Sequence, residues 1–265
     1  MTRIHLFEFT DLPWYPPIFR RMQTDYLRFV ATIGPGYKVL VPRLVETLQR
    51  AGMAEIVDLC SGSSGPWAKL YGQFAEAGCP VSLTLTDEYP NPAALQEWAG
   101  DVHPGIEYLT DPVDARRVPP HLKGMRTLFE GFHHFKPEDS RSILYDAYAA
   151  QAAIGVFEVT LKPPLGYFLL LLAPLSTLAG YLLLTPFIKP RTWQRFLWTY
   201  LLPLVPLATC WDGVVSLLRV YSPDNLEELI ASFHAADYSW ETSTASSGTP
   251  VFEYIYLLGC PLRRG

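Results

Sequence analysis

Several acids, one small-residue loop and a pair of adjacent imidazoles are the groups in this chain whose types and spacing suit chemistry. Asp58 lies in an apolar run at about 55–60 (EIVDLC), and Ser61-Gly62-Ser63-Ser64-Gly65 follows it. Small residues let backbone come close to a ligand, and a helix start beyond them offers free N–H groups. Asp87 and Glu88 end the alternating segment 81–86, where a carboxylate can accept both hydroxyls of a ribose. Asp114, with Asp111 in the same loop, follows the apolar residues 106–109. An acid there can accept from an adenine amino group while apolar neighbours sandwich the ring. Glu130 leads into Gly131-Phe132-His133-His134-Phe135, and Glu158 closes a further apolar run. The candidates for proton transfer are His133, His134 and Asp212. His134 is placed first, because imidazole titrates nearest neutrality.

The elements that must position these groups follow from periodicity. Helices are expected over 17–33 and 38–51, the second with Val41, Leu44, Val45 and Leu48 on one face. A strand at about 55–60 leads through the Ser-Gly loop into a helix from Pro66 to Glu76, proline suiting a first turn. Residues 81–86 alternate as a strand, Asn91-Pro92 opens a helix through Trp98, and 106–109, 127–129 and 154–160 read as strands. Residues 137–151 make a helix with Ile143, Leu144 and Ala147 on one side. Strand and helix thus alternate over 55–160, which packs most simply as a parallel sheet with crossover helices. Ligands of such a sheet sit outside the carboxyl ends of its strands, where these acids fall. Ser222-Pro223 marks an N-cap and first helical residue, and Leu226, Leu229, Ile230 and Phe233 form that helix's stripe. The closing strands, 238–244 and 251–258, have no helix between them and pair as an antiparallel hairpin.

Val57-Asp58-Leu59-Cys60-Ser61-Gly62-Ser63-Ser64-Gly65 resembles the first motif of the class I S-adenosylmethionine-dependent methyltransferases. Asp87 matches that family's ribose-binding acid and Val113-Asp114-Ala115 its adenine-side acid. Phe132-His133-His134-Phe135 with Lys136-Pro137-Glu138-Asp139 is similar to the segment many members carry after the fourth strand. The family motif has three alternating glycines; here Cys60 and Ser64 take the outer positions and Gly62 alone is kept. The resemblance covers about 40–160 and 212–262. It implies an α/β, Rossmann-like seven-stranded sheet of order 3-2-1-4-5-7-6, strand 7 antiparallel, flanked by helices, with an apolar helical insertion after strand 5. It implies S-adenosyl-L-methionine as cofactor, held by Asp58, Cys60, Ser61, Gly62, Ser63, Asp87, Glu88, Asp114, Ala115 and Glu130. Glu130 is then placed for the methionine amino group. The implied reaction is in-line methyl transfer, with His134, His133 or Asp212 as base. The alternatives are another transferase using the same cofactor and a non-catalytic membrane adaptor that kept the fold.

The expected organisation has N-terminal helices (1–53) capping the cofactor site, a core of 54–162 and 212–265, and a hydrophobic insert over 163–211. The 49 residues of the insert hold only Lys189, Arg191 and Arg195 as charges, against 44 in the other 216. Residues 163–188 are uncharged, long enough to span a bilayer, whereas the second apolar run, 196–211, is short. A spanning hairpin would put those cations in the outer loop, against the positive-inside bias. Pro174 divides 165–188 into half-length helices that dip into one leaflet, leaving Lys162 and 189–195 at the cytosolic headgroups. Tyr167, Tyr181, Trp193, Trp198 and Tyr200 then lie at the interface. A soluble apolar lid or dimer face is the third reading. Insertions after the fifth strand of the resembled fold lie over the active-site mouth, so an apolar acceptor is implied. Trp211-Asp212-Gly213 either lines that pocket or makes a tight turn.

The whole chain has 265 residues, 49% of them apolar and 18% charged, with a net charge of −5. That composition excludes disorder and gives no cationic surplus for nucleic acid. Cys60, Cys79, Cys210 and Cys260 form no CxxC pair, which speaks against zinc or a disulfide framework and for a reduced, cytoplasmic setting. The absence of GxGxxG argues against a nicotinamide enzyme, and residues 1–17 do not read as a signal peptide.

Overall fold

The computed structural model describes residues 3–34, 36–90, 105–162, 164–233 and 236–262. The first half runs α1 (Pro17–Ile33), α2 (Val41–Ala51), β1 (Glu55–Asp58), α3 (Trp67–Glu76), β2 (Ser82–Leu85) and β3 (Ile106–Tyr108). It continues through β4 (Met125–Phe129), α4 (Pro137–Ala149) and β5 (Ile154–Leu161). The insert contributes α5 (Leu165–Leu170), α6 (Ala173–Leu184), α7 (Trp193–Phe196) and α8 (Leu204–Arg219). The chain closes with α9 (Pro223–Ile230), β6 (Tyr238–Ser246) and β7 (Phe252–Pro261). The helix expected over 91–98 lies outside the described residues.

The seven strands lie in the order β3-β2-β1-β4-β5-β7-β6, as expected. β1 to β5 pair in parallel, while β7 runs antiparallel to both β5 and β6. Alternate strand residues point to opposite faces and build two cores. Ile56, Phe129, Phe157 and Tyr256 face α2 and α3, and Leu44, Leu48, Trp67 and Phe74 pack against them. Val57, Leu128, Val156 and Leu257 face α4 and α9, meeting Ile143, Leu144, Leu226 and Leu229. The helix stripes read from the sequence are therefore the buried faces. At α9 the Ser222 hydroxyl accepts from Asn225 N and the Asn225 side chain accepts from Ser222 N, a capping box.

The insert divides into two short helices near Pro174 as expected and departs from its sequence reading in two places. Residues 163–188 break at Leu171-Leu172, and Pro174 sits in the first turn of α6, where its missing N–H costs nothing. Trp211-Asp212-Gly213 lies inside α8 and makes no turn. Tyr181 and Arg195, expected at a lipid interface, are buried: Tyr181 stacks on Tyr26 of α1 at 4.5 Å. No single helix among the described residues is long and apolar enough to cross a membrane; Trp193–Leu201 and Leu204–Arg219 form an apolar pair bent by 73°.

Candidate functional site

The loop after β1 is held from inside by Asp58. Its Oδ2 accepts from Ser61 Oγ at 2.6 Å and its Oδ1 from Thr127 Oγ1 of β4 at 2.6 Å. Burial pushes this carboxyl up to about 7, against the pull of those two hydroxyls. Thr86, at the end of β2, locks the neighbouring strand to the loop, its N–H and hydroxyl both donating to the Asp58 carbonyl. Asp58 thus shapes the loop and points into protein.

Backbone angles in the loop carry the strongest signal. Cys60, Gly62 and Ser64 have φ of 58°, 53° and 84°. All three of the alternating positions therefore adopt the left-handed conformation that glycine tolerates and other residues resist. Ser64 is also buried with no partner for its Oγ. Ser64→Gly is expected to stabilise the protein by about 1 kcal/mol, through relief of strain and of an unpaired hydroxyl. A rise of roughly 2–4 °C in the thermal midpoint would register it, and a fall would count against strain at this residue.

Asp87 reaches the same loop from β2. Its Oδ2 accepts from Gly62 N at 2.7 Å and its Oδ1 from Tyr89 N at 2.7 Å. Asp58 and Asp87 thus bind consecutive loop residues, Ser61 and Gly62. Cys60 records the resulting field: burial pushes its thiol well up, followed in order by the charges of Asp87, Asp58, Glu88 and Asp114. Four of the predicted acids therefore surround one loop. Asp114 differs in having a strong partner, since both its oxygens accept from the Arg116 guanidinium at 2.9–3.1 Å, which holds its carboxyl low. Ala115 is buried in the core beside Val113 and Val118.

Glu130 follows the last residue of β4, and Glu158 lies within β5. Burial pushes both carboxyls up; for Glu130 the charge of Glu158 comes second and adds to this, while a 2.6 Å bond from Tyr37 opposes it. Glu158 Oε1 accepts from the N–H groups of Phe132 and His133, and its Oε2 lies 2.6 Å from His133 Nδ1. The turn that carries the histidines packs on the loop: a Cβ on Gly131 would lie 3.0 Å from the Cys60 Cβ.

The two imidazoles have opposite states. His133 is buried, and burial followed by the neighbouring His134 charge lowers it to about 3. It is neutral, with Nδ1 2.6 Å from Glu158 and Nε2 3.8 Å from Glu8. His134 also loses from burial, but Glu8 and Asp11 outweigh that and raise it to about 9; Asp11 Oδ1 lies 2.6 Å from its Nδ1. Arg219 completes the cluster, donating at 2.7 Å to both Glu8 and Asp11. His134 thus carries the proton of the pair at neutral pH.

The proton on His134 has a stability consequence. Its folded pKa is above the ordinary 6.5, so the stabilisation is full below pH 6.5 and is lost as pH rises through about 9. Denaturation of wild type and His134→Gln should therefore show a stability difference that shrinks by on the order of 2 kcal/mol across that window. A difference independent of pH would mean that His134 is neutral.

Asp212, the third candidate base, is engaged elsewhere. Its Oδ1 accepts from Phe9 N at 2.7 Å, and its Oδ2 from Gln23 Nε2 at 3.0 Å and Thr10 N at 3.3 Å. Burial raises it to about 6. Asp212 staples the N-terminal segment to α8 and is not aimed at the loop.

The sequence reading missed the links that close the site. On α1, Thr24 Oγ1 accepts from Ser63 Oγ at 2.9 Å, and Asp25 Oδ1 lies 3.2 Å from the same hydroxyl. Asp25 Oδ2 in turn accepts from Arg195 Nη2 of the insert at 2.5 Å, with both side chains buried. Glu8, Asp11, Tyr37 and Arg219 are further additions. Their only sequence signal was charge or aromaticity close to apolar segments. The insert packs on α1, with Tyr181 and Val205 against Met22 and Tyr26, and α1 packs on the loop.

No family profile and no curated protein matches the chain. Among solved structures it is similar to the citrinin polyketide synthase CMeT domain (14% identity, 95% of this chain and 59% of that one, TM-score 0.48). It is similar to human N-acetylserotonin methyltransferase in complex with SAM (13% identity, 83% and 51% covered, TM-score 0.46). A Rhodobacter sphaeroides protein named for Zn-dependent alcohol dehydrogenases matches at 12% identity, with 93% and 98% covered and a TM-score of 0.50. The chain spans about half the length of several of the solved chains it matches, 43–59% of each. At these identities the likeness speaks to fold alone. The chain has the fold of the class I S-adenosylmethionine-dependent methyltransferases.

Proposed function

We propose that this chain transfers a methyl group from S-adenosylmethionine to an apolar small-molecule or lipid-like acceptor. The observation that carries the reading is the left-handed backbone at residues 60, 62 and 64, with the Asp87 carboxylate bound to Gly62 N. Asp87 spends one lone pair of each oxygen on a loop N–H and keeps the others for hydroxyl groups. When bound, S-adenosylmethionine supplies an electrophilic methyl group on a sulfonium. Glu130, fixed by Tyr37, is placed to meet the amino group of such a ligand. Neither histidine suits the acceptor's proton, since His133 is lowered to about 3 and His134 is already charged; both hold the turn beside the loop. Asp114 is the weakest fit, because Arg116 already holds both of its oxygens. The apolar acceptor class is inferred from the insert, whose helix α6 carries no charge and packs on α1.

Calorimetric titration of the purified protein with S-adenosylmethionine should give one site per chain, with S-adenosylhomocysteine competing. Methyl-labelled cofactor incubated with organic-extractable cell material should then yield label in the organic phase. Absence of binding would favour an adaptor, and binding with transfer of another group would favour a different transferase.

A further inference from the structure

The insert turns its greasiest side outward. On α6 the exposed positions are Pro174, Leu175, Ser176, Ala179 and Leu183, and of these Leu175, Ser176, Ala179 and Leu183, with Leu172 at the N-cap, share one helical face. Tyr181 lies on the opposite side, packed on α1. α8, packed against α6, exposes Leu204, Leu207 and Trp211 at i, i+3 and i+7. Leu171, Leu183 and Leu201 are 78%, 72% and 74% exposed. An ordinary surface helix has the reverse arrangement, and contiguous apolar patches on monomers mark interaction sites.

We propose that this face docks on one leaflet of an anionic lipid bilayer. Charge selects that occupant over a second copy of the chain. Residues 163–211 contain no acid, and Lys189 and Arg191 are exposed beside Phe187 and Trp193. A symmetric pairing of two such faces would supply no acid from either insert for those cations, whereas anionic headgroups supply partners. Trp193 is 69% exposed and suits the headgroup boundary. Helix length selects one leaflet: no described helix is long and apolar enough to cross, and the apolar pair around Leu202-Pro203 bends by 73°. Arg195 takes no part, being buried on Asp25. The docking supplies a place for the proposed enzyme to meet a lipid-like acceptor, but it does not depend on methyl transfer.

Flotation of the full chain with vesicles, without cofactor, tests it. Wild type should float with phosphatidylcholine vesicles containing phosphatidylglycerol, more weakly with phosphatidylcholine alone, and less as salt is raised. Lys189→Gln/Arg191→Gln should lower the preference for anionic vesicles by roughly 25-fold, about 5-fold per cation. Leu175→Glu/Leu183→Glu changes only exposed positions and should stay at the bottom of the gradient with an unaltered melting curve. Quenching of wild-type tryptophan emission by brominated lipid chains needs no variant and should accompany flotation. Failure of wild type to float with either vesicle overturns the proposal. So does a stable dimer that Leu175→Glu/Leu183→Glu converts to monomer. Cofactor titration is read separately, so failure of docking and failure of methyl transfer are distinguishable.

Discussion

Asp87→Ala is expected to weaken binding of S-adenosylmethionine by roughly 10²- to 10⁴-fold, with the fold retained. Two hydrogen bonds from ribose hydroxyls to an ionised carboxylate contribute about 1.5–3 kcal/mol each, or about 3–6 kcal/mol together. At about 1.4 kcal/mol per tenfold change this sum gives the stated range. A second effect has the same sign. The carboxylate holds Gly62 N and Tyr89 N at 2.7 Å, so its loss also frees the loop that the ligand must meet preformed. The cost to folding is smaller, about 1 kcal/mol, because Asp87 is half-buried and water can reach the released N–H groups. Asp87→Asn keeps one acceptor oxygen without the charge and should fall between wild type and Ala. Calorimetry beside a thermal melt separates the effects. Wild-type affinity in a folded Asp87→Ala protein would remove Asp87 from the site.

The sheet and its order were legible because strand and helix periods alternate cleanly, and because the last two strands lack a helix between them. The boundaries blurred where charge was buried. β4 begins at Met125, two residues before the expected strand, since Arg126 lies in it, neutralised at 2.6 Å by Asp146. Asp212-Gly213 read as a turn because both residues weaken helices, yet tertiary bonds from Phe9, Thr10 and Gln23 satisfy the aspartate inside α8. The site acids were recognisable from their places at strand ends. Their states were not. His134 keeps its proton because Asp11, 123 residues away, pairs with it, and no local pattern encodes that pairing. The inward face of α1 was equally invisible, because the buried polar residues Gln23 and Asp25 find partners on the insert.

Arg195→Met is expected to destabilise the chain by about 3–5 kcal/mol, because it leaves the Asp25 carboxylate buried without its principal cation. Burial already pushes Asp25 up even with Arg195 at 2.5 Å, and Arg28 offers only a weaker attraction. Arg195 also donates to the Pro190 carbonyl at 3.1 Å, so the insert loses an internal tie as well. Chemical denaturation should record the loss, and the thermal midpoint should fall by roughly 6–20 °C. The double variant Arg195→Met/Asp25→Leu removes both charges and should recover much of the stability, since apolar replacement of a buried pair is often neutral. That recovery separates an unpaired charge from simple loss of packing, which a second substitution would only deepen. The single variant should also bind cofactor more weakly, because Asp25 reaches Ser63 of the loop and its pairing with Arg195 holds α1 in register. A single variant as stable as wild type would show that Asp25 is protonated and that the insert and the loop are mechanically independent.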